Sequence, residues 1–221
     1  MINTYITQAE EKWLKILAHH CEDLFKKKII PSHDHSHHLR VWKFAKEIMK
    51  AIHQEMKINY ELIEASLIAA MFHDTGLSIT LDENHGKESR KLCEQYFKEN
   101  NIEKPVLFEE LLEAIELHDN KNYTQNISEP ASLLSIICNA DDLDAFGKIG
   151  VIRYTDIYFL RDIPINGLAD SVIQNLDKRF SNFERNYQTF RALYNKHKDR
   201  YLVCRNFFEE TKDELASDSG N

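Results

Sequence analysis

Glycine and proline are scarce, at 6 and 4 of 221 residues. Apolar and polar residues almost never alternate, so an architecture of strands joined by tight turns is excluded. Cysteine is equally sparse. Cys21, Cys93, Cys138 and Cys204 are scattered, with no C-x-x-C pair, which excludes a disulfide scaffold and reads as reduced thiols. No apolar run approaches the ~20 residues of a membrane span. The longest, "LIEASLIAAMF" at 62–72, is interrupted by Glu64. The N-terminus "MINTYITQAEEKWLKIL" has acidic residues where a signal peptide needs a basic start. A cytoplasmic, soluble protein with no membrane partner is expected. Long basic runs are also missing, and 28 basic against 36 acidic residues leave a formal charge of -8. Extended nucleic acid is therefore not an expected partner, although short nucleotides remain candidate ligands.

What is present is apolar residues at three- and four-residue spacing through most of the chain. Hydrophobic residues make up 43% and aromatics 10%, enough for a sizeable core. The pattern predicts an all-α fold, with helices near 6–28, 36–55, 59–74, 84–100, 105–118, 130–142, 143–159, 166–180 and 182–210. Pro31-Ser32 breaks the first and Thr75-Gly76 stops the third. The polar segment "DNKNYTQNISEPAS", with Pro130, reads as a loop, and its "NIS" has no meaning as a glycosylation site in a cytoplasmic protein. Phe183, Tyr187, Phe190, Leu193 and Tyr194 form a stripe of the kind used for core packing. One domain over 1–215 is expected, with core motifs at 30–160, flanking helices at 1–29 and 161–212, and a disordered tail at 216–221.

Histidine and aspartate cluster at five places: "HDHSHHLRV" at 33–41, "MFHDTG" with His73 and Asp74, "ENHGKES" with His85, "ELHDN" with His118, and "NADDLDAFG" with Asp141, Asp142 and Asp144. His73-Asp74 closes an otherwise apolar helix that should be buried. A buried ionised aspartate costs several kcal/mol unless it is paired or coordinates a cation. A carboxylate among imidazoles, without cysteines, suits a divalent ion with open coordination positions. Such an ion lowers the pKa of water and neutralises charge on a phosphoryl group, which is the chemistry of hydrolysis.

The order "HDHSHHLRV", "HD", "NADDLDAFGKIGVIR" resembles the HD-domain superfamily of metal-dependent phosphohydrolases, over about residues 30 to 160. It is similar to small bacterial HD hydrolases with D-x-x-H-x-x-R-V and D-A-D-x-L-D-A-x-G-x-x-G motifs. The resemblance implies a compact HD-domain helical bundle with a metal site between central helices. It assigns His37, His73, Asp74 and Asp141 as metal ligands, and His85 and His118 as ligands of a second ion or as a general acid. Two positions depart from the pattern. Asn139 stands where the motif has its first Asp, and Asp142 stands where it has a basic residue.

His33, His35 and His38 are expected to support ligands or face solvent. At least one of Asp142 and Asp144 is expected to be a solvated charge or a helix-start residue, with Asp144 also a candidate to hold an Arg or His in place. Arg40, Lys87, Arg90 and Arg153 are the basic residues nearest the motifs, suited to phosphate or to surface salt bridges. The expected activity is hydrolysis of a phosphate ester or phosphoanhydride of a small phosphorylated molecule, such as a nucleotide. One or two ions of Mn, Fe, Mg, Zn or Ni are implied. A di-iron oxygenase and a non-catalytic ligand-binding module are the alternatives, and homo-oligomerisation is left open.

Overall fold

The first helical stretch has its inward positions at Ile2, Ile6, Ala9, Trp13, Leu17, Cys21 and Phe25, all buried. Steps of four drift by ~40° each around a straight α-helix. A π-helical turn at Glu10–Leu14 separates α1 (Ile2–Ala9) from α2 (Lys15–Phe25). Its wider winding counters that drift and keeps the stripe on one face. The computed structural model describes residues 1–26, 30, 35–82, 84–120 and 129–218. Among these every regular element is helical, and none is long and apolar enough to cross a membrane.

Contacts divide the chain into two compact units, Met1–Asp141 and the residues from Asp142 onward. The first is organised around α4 (Tyr60–Phe72), opened by Asn59, whose side chain accepts from the Leu62 N–H. Every α4 residue from Leu62 to Phe72 is buried, because α1, α3 (His35–Ile52) and α6 (Phe108–Leu117) pack around it. Glu64 is tolerated inside because Trp13 Nε1 and Lys12 Nζ each donate to its Oε1 at 2.8 Å, and Tyr60 donates at 3.2 Å. After α4 the chain makes a 3₁₀ turn at Thr75–Ser78, then α5 (His85–Glu99) and α6, which pack on each other.

The unit boundary falls within α7 (Leu133–Asp144). The second unit holds α8 (Gly147–Leu160), α9 (Ile165–Tyr187) and α10 (Arg191–Asp218). The break expected near 181 lies instead at 188–190. The buried stripe Leu168, Val172, Leu176, Phe180, Phe183, Tyr187 runs past 181 without losing helical spacing, so the helix continues. Phe183, Tyr187, Phe190, Leu193 and Tyr194 are all buried. Helix α10 extends to Asp218, through the start of the stretch expected to be a disordered tail.

Candidate metal centre

Helix α3 turns Val41, Ala45, Ile48 and Ile52 inward, and the same face carries His37 into the interior one turn earlier. Its ring meets the end of α4. There the last helical bond runs from the His73 N–H to the Ala69 carbonyl, and Asp74 leaves the helix with φ -106° and ψ 7°. This exit lets adjacent residues, which diverge by about 100° inside a helix, aim at one point. His37 Nε2 lies 3.0 Å from His73 Nε2, 3.1 Å from Asp74 Oδ2 and 3.5 Å from Asp141 Oδ1. The other carboxylate oxygen of Asp74 faces a second group. His118 Nε2 is 2.9 Å and His85 Nε2 3.4 Å from Oδ1. His85 opens α5 and His118 closes α6, and both rings are buried.

Three of these imidazoles are held in one tautomer. The Nδ1–H groups of His73, His85 and His118 donate to the carbonyls of Ala70, Asp82 and Ile115, each three residues earlier, at 2.8–2.9 Å. A carbonyl only accepts, so Nδ1 carries a proton in each of these rings and Nε2 is the atom turned toward the carboxylates, able to ligate once it carries no proton of its own. Nitrogen lone pairs facing carboxylate oxygens repel unless a positive species, a proton or a cation, lies between them. Ligand atoms of His37, His73, Asp74 and Asp141 all lie within 4.8 Å of one another, as do those of Asp74, His85 and His118. The donor chemistry of both groups, imidazole nitrogen with carboxylate oxygen, fits a divalent transition ion.

Burial pushes His73 well below its ordinary pKa, against the attraction of Asp74, so the ring stays neutral and able to ligate. Burial opposes ionisation of Asp74, yet the hydrogen bonds with His118, His37 and His85 outweigh it and hold the carboxyl well below its usual range. For His85, burial is outweighed by the bond and charge of Asp74 and by Asp119, 3.9 Å away, raising its pKa to about 9.

His33 and Asp34 lie outside the described residues. His38 is buried, not solvent-facing: its Nδ1–H donates to the Met71 carbonyl at 2.8 Å, and burial lowers its pKa to about 4. Arg40 donates to the Ser36 hydroxyl at 2.8 Å, and Lys87 is exposed on α5. Arg90 pairs with Glu116 at 2.9 Å. Neither Asp142 nor Asp144 is a solvated charge, because α7 is buried all round at its C-terminal end. In the second unit Asp144 pairs with Arg153 at 3.1 Å and Asp142 with Arg179 at 2.7 Å, which makes Arg153 a buried counterion and not a surface one. Arg179 and Asp119 are further residues that the fold brings to these clusters. Asp119 was legible as the neighbour of His118, whereas Arg179 is 37 residues from its partner and carries no local signal.

The HD domain family model matches residues 35–145, just over half of the chain and inclusive of all six converging residues. The chain belongs to the HD-domain family. Its all-α HD-domain fold is also found in a crystal structure from an uncultured Thermotogales bacterium, described as a predicted HD superfamily hydrolase. That protein is 20% identical, with a TM-score of 0.52 and coverage of 94% of this chain and 93% of that one. No curated protein matches this HD chain by sequence.

Proposed function

We propose that the chain is a metal-dependent hydrolase, and more narrowly a phosphohydrolase acting on a phosphate ester or phosphoanhydride of a small molecule such as a nucleotide. The observation that carries the reading is the division of Asp74, with Oδ2 toward His37 and His73, in the group that Asp141 completes, and Oδ1 toward His85 and His118. In this reading His37, His73, Asp74 and Asp141 hold one divalent ion, of Mn, Fe, Mg, Zn or Ni, and Asp74, His85 and His118 hold a second. A bound ion acidifies water and offsets the negative charge that builds on a phosphoryl group.

The chain's own residues orient and shield. The Nδ1–H tethers keep the His73, His85 and His118 rings from rotating, and burial of the cluster strengthens every charge interaction there. Where no second ion takes its Nε2, His85 is the group placed to act as general acid, donating a proton from that nitrogen to the leaving oxygen. Arg40 and Lys87, three and two residues from candidate ligands, are proposed to meet the phosphate charge, with His33 supporting the ligands. The family and the hydrolase description of the structural relative favour this reading.

The test is elemental analysis of purified protein followed by a screen of phosphoesters and nucleotides with Mn²⁺ added. Metal-dependent phosphate release is expected. Full metal loading without turnover would instead favour a ligand-binding module. A second reading, a di-iron oxygenase, draws on the same six residues around one shared carboxylate. Iron that cycles in oxidation state with uptake of O₂ would decide for it.

A further inference from the structure

Gly86 is the second residue of α5, where alanine would ordinarily serve a helix better. The reason for glycine lies on the neighbouring helix. A Cβ at residue 86 would stand 2.4 Å from the carbonyl oxygen of Glu116 and 3.2 Å from its carbonyl carbon, both backbone atoms that no rotamer change can move. Gly76 repeats the arrangement on the other side of α5. Its Cβ would stand 2.0 Å from the His85 carbonyl oxygen and 2.7 Å from the Ser89 nitrogen, and its N–H donates to the Ser89 hydroxyl at 2.8 Å. The first turn of α5 is thus seated on two stretches of backbone. One is the turn two residues beyond Asp74, and the other is the end of α6 two residues before His118.

Asp74, His85 and His118 come from three separate elements, so these two seatings, and not sequence spacing, set their separations. The His85 and His118 ring centres are 5.3 Å apart. Resting on the metal reading above, we propose that Gly86 is a positioning residue for the second ion. Its missing side chain lets α5 sit against the Glu116 backbone, backed by the Gly76–Ser89 contact, at the distance where His85 and His118 share an ion with Asp74. The first group draws its other ligands from α3, the end of α4 and α7, and none from α5 or α6. A displacement of α5 from α6 therefore opens the second site and leaves the first.

The experiment is equilibrium dialysis with Mn²⁺ and electron paramagnetic resonance on the full chain. Wild type is compared with Gly86→Ala and with Gly167→Ala, a control whose added Cβ meets only a Pro164 ring carbon at 4.0 Å. Wild type and Gly167→Ala should bind two ions with spin coupling between them. Gly86→Ala should keep one ion at wild-type affinity, lose the coupling, and bind the second about 10–100-fold more weakly. Two ions bound by Gly86→Ala at wild-type affinities overturn the proposal and leave the metal reading standing. Wild type with no ion, or with only one, overturns the two-ion reading and the proposal with it. If Gly86→Ala does not melt cooperatively, Ser89→Ala decides, since it removes the acceptor of the Gly76 N–H without a clash. Weakened second-ion binding there supports the proposal, and wild-type binding of both ions refutes it.

Discussion

Asp74 is ionised in the interior with imidazoles on both sides of its carboxylate, and each proposed ion depends on one of its oxygens. Asp74→Ala is therefore expected to abolish metal binding at both groups, measured by metal content after dialysis. Retained metal with full activity would show that the central ligand is misassigned. His85 gives a pH signature. Its folded pKa of about 9 lies above the ordinary 6.5, so the metal-free protein gains stability from it below pH 6.5 and loses that gain as pH rises through 9. The magnitude is roughly 3 kcal/mol. Melting of the metal-free chain should fall across this window, and the fall should flatten in His85→Gln. Metal at the second group must displace the same proton, so its affinity should rise with pH, by about tenfold per unit below 9. An affinity independent of pH there would separate His85 from the ion.

At the scale of elements, α4 shows why an apolar helix can carry one charge. Glu64 accepts from Trp13, Lys12 and Tyr60, and the bonds from Trp13 and Lys12 tie the π-turn of the first helical stretch to the central one. Glu64→Ala leaves the buried indole N–H without an acceptor and should cost roughly 1–3 kcal/mol in urea unfolding, with metal content unchanged. Equal stability of the variant would mean that the apolar contacts alone join these helices. The helices themselves were largely legible, because three- and four-residue spacing survives in each. The boundary at 188–190 was not, since Tyr187 continues the buried stripe of α9 and Phe190 is buried beyond the break, so the apolar pattern runs through the turn. The π-turn likewise left only a run of four-residue steps as its trace.

Across the whole molecule, an ion bound by the folded chain and not by the unfolded one adds to stability by mass action. At a free concentration 100 times the dissociation constant this is about 2.7 kcal/mol. Chelation should lower the melting temperature accordingly, and Mn²⁺ should restore it; a melting temperature indifferent to chelator would argue against a resident ion. In the second unit, Arg179→Ala leaves the fully buried Asp142 carboxylate without its cation. The expected loss is roughly 3–5 kcal/mol in denaturant unfolding, and a change under 1 kcal/mol would refute the pairing. By itself the sequence determined the all-α class, the family, and the positions of His37, His73, Asp74, His85, His118 and Asp141, because helical periodicity and motif order are local properties of a chain. Only the tertiary structure decided which oxygen of Asp74 faces which histidines, that His38 is buried, and that Asp142 and Asp144 are countered by arginines. Those outcomes depend on which backbone surfaces can approach closely, as at Gly76 and Gly86, and closeness between distant segments leaves no mark in spacing along the chain.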